Sequence, residues 1–365
     1  MITNRTPGKV RRQLSPNLTI LYQPRDLQWS YSHHAALCFF KEQYYAMWSN
    51  GERDEDDLRQ RVLYAVSDDG VNWSSHRTLY PSQEDRVLTS CGFYQHEGIL
   101  VAYAGSYGYA PENVEMGRYR VINDFHQHTT LLARTTQDGE TWGNIQDLGI
   151  PIIANHGPQA LRSGRLLISG NVTYPYTDNP TGLSGWRMAG LQPFPWADLA
   201  DDSQGIMRHT GLRQDGVMLC EGSFFQTEDD AIHMFLRSDQ RRLYETVSTD
   251  DGETWSAPQP TDFMSCNTKF HGGRLPDGRY YLVCCPDPAG ARCPLVLSLS
   301  RDGKNFDQEY VIDEAYRPQR RPGKYKGGIY GYPHSIITGD TMLVICSVNK
   351  EDIHVYSFPL SQLHE

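Results

Sequence analysis

Ser248-Thr249-Asp250-Asp251-Gly252-Glu253-Thr254-Trp255 closes a run of alternating apolar residues with a tight turn. Three shorter versions repeat it: Asp69-Gly70-Val71-Asn72-Trp73, Asp138-Gly139-Glu140-Thr141-Trp142 and Asp302-Gly303-Lys304-Asn305-Phe306. Asp-Gly supplies a hairpin corner whose glycine takes positive φ without steric cost, and the aromatic two or three places on can plug the gap between neighbouring sheets. One such turn carries little information; four indicate a protein built from repeated sheets.

Outward from these turns a second repeat appears. A His, Glu or small residue opens a hairpin at 34–41, 91–98, 156–164, 221–228, 271–278 and 334–339, and an apolar strand follows each. Six inner hairpins predict an all-β fold: a β-propeller of four-stranded antiparallel blades, six in number, with a seventh if 174–217 holds one. That segment, which includes Pro193-Phe-Pro-Trp196, reads as a long loop inserted in one domain spanning 1–365. Residues 18–22 and 353–358 are expected to share a blade and close the ring, which removes exposed sheet edges.

Composition narrows the partners. With 34 Lys and Arg against 44 Asp and Glu the net charge is −10, which argues against nucleic acid or an anionic membrane. No stretch approaches the roughly 18 apolar residues of a membrane span. The eight cysteines lie mostly in apolar strand-like runs, none as Cys-x-x-Cys, and are expected to be buried thiols. Free thiols and no visible signal peptide favour a soluble cytoplasmic protein; an exported form with a trimmed signal is the alternative.

In a propeller the inner strands line one channel, so residues distant in sequence converge at its mouth. The candidates are His33 or His34, His156, Glu221, His271 and His334. Adjacent strand residues point to opposite faces, so at most one of His33 and His34 is expected to face the channel. Arg237, whose planar fork can grip a carboxylate, and Arg292 supply positive charge; the bland reading of Glu221 and Arg237 is an internal salt bridge. Tyr330 and Tyr332 enter the last blade, and a tyrosine beside arginine is expected to have a lowered pKa. Tyr107 and Tyr174 look like further aromatic wall for stacking on a sugar. Asp54-Glu55-Asp56-Asp57 is a solvated run, a source of a general acid, or a Ca²⁺ site; His126-Gln-His128 offers two metal ligands. No cofactor is required on this reading, and a bound Ca²⁺ or other divalent metal is the one addition considered.

The turns resemble the Asp-box, Ser-x-Asp-x-Gly-x-Thr-Trp, of sialidase-superfamily propellers. The copy at Ser248 to Trp255 matches throughout, whereas Gln137 and Arg301 stand where the box Asp belongs and Val66 where the Ser belongs. The resemblance implies that Glu221 and Arg237 correspond to the sialidase glutamate and second arginine, Arg292 to the third, and Tyr330 or Tyr332 to the nucleophilic tyrosine. It places the acid in the loop Asp54 to Asp57. The chain departs from that pattern at Ser32-His33-His34-Ala35, where a sialidase has Arg-Ile-Pro. A histidine there is more similar to rhamnose-glucuronate lyases, ulvan lyases and α-L-rhamnosidases. By that likeness Arg237 with Arg292 would neutralise a uronate, with His33 or His34 as base or acid and Tyr330 or Tyr332 as its partner. The expected substrate is an acidic oligo- or polysaccharide, cleaved at a rhamnose–uronate linkage by elimination or hydrolysis. An exo-sialidase and a non-catalytic glycan-binding propeller are the alternatives.

Overall fold

Asp-Gly turns, alternating strands and almost no helix assemble into a six-bladed β-propeller, seen in a computed structural model that describes residues 2–5, 9–25, 27–109, 127–170, 173–190, 200–201, 206–207, 212–214, 217–287, 289 and 291–363. Blade one runs Tyr31–Phe40, Gln43–Gly51, Arg61–Ser67 and Arg77–Tyr80 from the channel outward. The inner strands of blades two to six are Val87–His96, Gln159–Ala160, Val217–Gln226, His271–Arg274 and Tyr330–Thr338. Blade six takes its outer strand, Asn17–Tyr22, from the far end of the chain, antiparallel to Asp352–Pro359. The ring therefore closes by the expected sharing, with six blades and not seven.

The segment 174–217 departs from the long-loop expectation. Thr173–Thr177 and Arg187–Gly190 are the third and fourth strands of blade three. Leu212–Gln214 pairs with the inner strand of blade four. Pro193-Phe-Pro-Trp196 lies outside the described residues.

The repeated turn joins the third and fourth strands of blades one, two, four and five, and its hydrogen bonds correct the alignment of the motif. In blade one Asp69 Oδ1 accepts from the Val71 and Asn72 N–H groups (2.8 and 2.7 Å) and from Ser67 Oγ (3.0 Å). Asp138 with Thr136 and Asp302 with Ser300 repeat this pattern. Asp250 with Ser248 does the same one residue farther from its glycine. The box aspartates are thus Asp69, Asp138 and Asp302, and neither Gln137, Arg301 nor Val66 marks a degenerate copy; the copy in blade four is longer by one residue. Blade six cannot carry the turn, because its third and fourth strands come from opposite ends of the chain.

These turns stitch blades one, two, four and five to the blade before each. A Cβ on Gly139, at φ 81°, would meet the Tyr45 hydroxyl of blade one at 1.8 Å, so only glycine fits. Gly70, Gly252 and Gly303 likewise back onto Leu343, Leu167 and Phe225 of the preceding blades. Apolar clusters fill the spaces between sheets, as where Met47 and Tyr64 of blade one meet Leu100 and Ala102 of blade two. All eight cysteines are free, six of them buried, and no helix among the described residues is long and apolar enough to cross a membrane.

One irregularity positions the functional groups. The inner strands of blades one, two, four and six each carry a register shift near their start, at His33/Ala36, Ser90/Gly92, Cys220/Gly222 and Gly331/His334. A residue with positive φ sits inside each: His34 (53°), Gly92 (97°), Glu221 (46°) and Tyr332 (52°). A bulge re-aims side chains, and a non-glycine residue held left-handed costs about 1–2 kcal/mol. Three blades accept that cost at polar residues that turn toward the axis.

Candidate active site

The bulge overturns the alternation expected at His33 and His34. With His34 left-handed, both rings turn to the same side, their centroids 4.5 Å apart and at 4.0 and 5.2 Å from Tyr332. Across the channel the Tyr332 hydroxyl donates to Glu221 Oε1. Arg237 Nη1 donates to Glu221 Oε2 (2.5 Å) and to Tyr332 Oη (3.0 Å), and its Nε donates to Asn267 Oδ1. Glu221 and Arg237 do pair, as the bland reading had it, but the pair is completed by a phenol from another blade.

Burial raises the Tyr332 phenol well above its usual range and Glu221 pushes it the same way, against Arg237, so the expected lowering is reversed. Burial alone would also raise Glu221, but Arg237, the Tyr332 hydroxyl and Lys269 outweigh it and hold the carboxyl below its ordinary value. The group therefore consists of a protonated phenol aimed at an ionised carboxylate, steadied by a guanidinium.

Lys269 is a member that the sequence reading missed. Its Nζ lies 5.0 Å from the Tyr332 ring centroid and donates to Asn155 O at 2.6 Å. Burial pulls the amine down to about 8, against Glu221 and Cys91. Arg292 lies over the same ring at 5.8 Å, its Nη2 donates to Asn267 O (3.4 Å), and its buried Nη1 has no partner among the described residues. Beside it opens a cavity of about 530 Å³, lined by Arg241, Arg292, Lys324 and Lys326 against the single acid Asp239. A chain of net charge −10 thus keeps a cationic mouth, which suits an anionic ligand.

The acidic loop divides its duties. Asp54 accepts from the Tyr325 N–H (3.0 Å) and Asp56 from the Tyr107 hydroxyl (2.5 Å). Glu55 accepts from Lys350 Nζ (2.6 Å) and approaches His33 Nε2 at 3.8 Å. Burial raises the Asp57 carboxyl. Lys350 and Ser347, which bonds His33 Nδ1 at 2.6 Å, also escaped the sequence reading.

Other predicted residues stand elsewhere. Tyr330 is buried, and its hydroxyl donates to Ala315 O (3.1 Å) on the segment that leaves blade five, away from this group. Tyr174 is a core residue of blade three, packed edge-on against Trp255 at 4.8 Å. Tyr107 is buried beneath the acidic loop that it holds and is no stacking wall. His156, His271 and His334 form a second stack farther along the channel, with centroids 4.3–5.7 Å apart. They face a cavity of about 580 Å³ lined by Leu37, Phe39, Phe93 and Ile336, toward the other ends of the inner strands. The one shared pocket expected for all five starting residues is therefore two clusters. His126 lies outside the described residues.

All five channel histidines are held neutral, chiefly by burial: His34 falls to about 4 and His271 to about 3, while His33, His156 and His334 lie well below 6.5. As pH drops from about 6.5 toward about 4, the unfolded chain takes up protons that the folded His34 refuses, so stability falls through that window. Above it this contribution is fully present. Urea-unfolding midpoints across the range are expected to decline steadily on acidification, and less so in His34→Asn.

The family profile described as BNR repeat-like domain matches residues 42–345. No curated protein matches the chain. Among solved structures, a protein of unknown function from Dyadobacter fermentans superposes with TM-score 0.67 at 15% identity, covering 97% of this chain and 100% of that one. The K499G mutant of NanB sialidase from Streptococcus pneumoniae gives 0.64 at 13% identity, over 98% of this chain and 71% of that one. An intramolecular trans-sialidase from Ruminococcus gnavus, in complex with oseltamivir carboxylate, gives 0.66 at 12%, over 94% and 97%. At these identities the likeness is one of fold.

Proposed function

The chain belongs to the family of BNR repeat-like domains, and from that membership we propose a carbohydrate-active enzyme that hydrolyses the glycosidic bond of an acidic sugar. The observation that carries this reading is the group of Tyr332, Glu221 and Arg237, in which a buried phenol donates to an ionised carboxylate under a guanidinium. As an acceptor for the phenol proton, Glu221 makes Tyr332 a nucleophile toward an anomeric carbon. Arg237 and Arg292, with the basic cavity beside them, take the substrate carboxylate. The 54–57 loop, where burial raises Asp57, supplies the leaving-group proton.

One observation favours elimination as a second reading. His33 Nδ1 is occupied by Ser347, and Nε2 is buried without a hydrogen-bond partner among the described residues. A neutral ring with that lone pair has the form of a base that removes the C5 hydrogen of a uronate while Tyr332 protonates the leaving oxygen. Incubation with sialylated oligosaccharides and with a rhamnose–uronate polysaccharide separates the outcomes. Free sialic acid indicates a sialoside hydrolase, new reducing ends without unsaturation a uronate-directed hydrolase, and a C4–C5 unsaturated product the lyase. Binding without turnover on every substrate would reduce the propeller to a lectin and overturn the enzymatic reading.

A further inference from the structure

Among the described residues, two groups of side chains bring ligand atoms within 4.8 Å of one another: His33, His34 and Glu55 at the mouth, and His156, His271 and His334 deeper in the channel. Their hydrogen bonds set them apart. A neutral imidazole has one N–H and one lone pair, so the partner of one nitrogen decides the state of the other. In the deeper trio the Leu37 N–H points at His334 Nδ1 and the Ser335 N–H at His271 Nδ1, both at 3.2 Å. A backbone N–H only donates, so His334 carries its hydrogen on Nε2 and has no lone pair there, whereas His271 Nδ1 also meets the Ser335 hydroxyl at 2.8 Å and can take either tautomer. At least one ring of that trio, His334, thus lacks the Nε2 lone pair that a cation would need.

At the mouth the logic inverts. With the Ser347 hydroxyl donating to Gly331 O (3.2 Å), its oxygen accepts from His33 Nδ1–H (2.6 Å), and in that tautomer the ring's lone pair falls on Nε2. That atom is buried, lacks a hydrogen-bond partner among the described residues, and lies 3.8 Å from Glu55 Oε1. A lone pair and a carboxylate oxygen set face to face repel unless a positive species lies between them. His34 Nδ1 bonds the Ser49 hydroxyl (3.1 Å), which also accepts from the Ser90 N–H (2.9 Å) and can rotate to accept from His34 as well. The second ring can therefore present its own Nε2 lone pair. Burial keeps both rings neutral, as ligation requires.

We propose that His33, His34 and Glu55 bind one divalent transition-metal cation at the channel mouth, beside the Tyr332 ring. Two imidazoles and a carboxylate on one side of the ion leave its other positions open toward the channel. Bonds of about 2.1 Å place neighbouring ligands roughly 3.0–3.5 Å apart, so the group closes by about an ångström on binding. Lys350, on Glu55 Oε2 at 2.6 Å, weakens the site for a lone cation, and an anionic ligand on the metal restores the balance. On the glycosidase reading that anion is the substrate carboxylate, and this clause alone rests on that reading. A metal there also occupies the lone pair that elimination would need.

The test uses the full chain stripped with a chelator and titrated with Co²⁺, followed by its visible absorption and, after gel filtration, by metal content. The expected result is one Co²⁺ per chain with d–d bands, at least 10-fold weaker in His33→Ala and in Glu55→Gln and unchanged in His271→Ala. Ser347→Ala keeps the ring but frees its tautomer, so it is expected to weaken binding with unchanged circular dichroism. This variant holds the test open if His33→Ala misfolds. Absence of bound Co²⁺ in the parent protein, binding indifferent to Glu55→Gln and Ser347→Ala, or loss in His271→Ala overturns the site. A uronate or sialic acid that leaves Co²⁺ affinity unchanged removes the carboxylate role and not the metal.

Discussion

Tyr332→Phe is expected to lower turnover of an acidic glycoside by about 10³-fold or more while changing substrate affinity only a few-fold. The variant keeps the ring that stacks on His33 at 4.0 Å and under Lys269 at 5.0 Å, and deletes only the hydroxyl that donates to Glu221. A loss in kcat with KM nearly constant therefore reports chemistry and not a rearranged pocket. The comparison variant is Tyr330→Phe, which loses a hydroxyl that bonds Ala315 O on the segment leaving blade five. Removal of that bond is expected to cost about 1 kcal/mol of stability and to leave kcat unchanged. Equal kcat losses in the two variants, or full activity in Tyr332→Phe, would remove the phenol from the mechanism.

Glu221→Ala is expected to destabilise the protein by about 3–5 kcal/mol, measured as a fall in urea midpoint at constant slope. Arg237 is mostly buried against Glu221 at 2.5 Å, and loss of the carboxylate leaves its guanidinium with Asn267 and a phenol as hydrogen-bond partners among the described residues. Glu221 also holds a left-handed conformation, φ 46°. Glu221→Gly loses the same ion pair and relieves the backbone, so it is expected to be about 1 kcal/mol more stable than the alanine variant. If alanine and glycine unfold together, the bulge is relaxed in solution. If neither destabilises, Arg237 has another counter-charge.

The legible part of this fold was what repeats. Asp-Gly with a following aromatic marks a turn whatever surrounds it, because the glycine conformation and the aspartate's bonds to the next backbone amides are local. The exact alignment was less legible: one extra residue between Asp250 and Gly252 made the longest copy the apparent standard and the other three look degenerate. Of the candidate residues, those that the fold gathers around the axis were legible where a charged or phenolic group stood near the start or end of a strand, as at Glu221, Arg237, Arg292 and Tyr332. It was misread where strand alternation was assumed, since the bulge at His34 turns both histidines inward. Tyr330 and Tyr332 share one face of an ideal strand, and the shift between Gly331 and His334 separates them. Lys269 carried a usable signal, two residues before His271 and so on the same side by period two. Lys350 and Ser347 carried none, because their roles depend on how blade six sits against blade one.

The strand Asn17–Tyr22 completes the blade that carries Tyr332, pairing with Asp352–Pro359 at the other end of the chain. A growing polypeptide on the ribosome can fold its early blades, but the sheet that carries Tyr332 gains its outer strand only once Asp352–Pro359 has emerged and captured Asn17–Tyr22. Blade six is thus expected to be the last of the six to gain all four of its strands during synthesis.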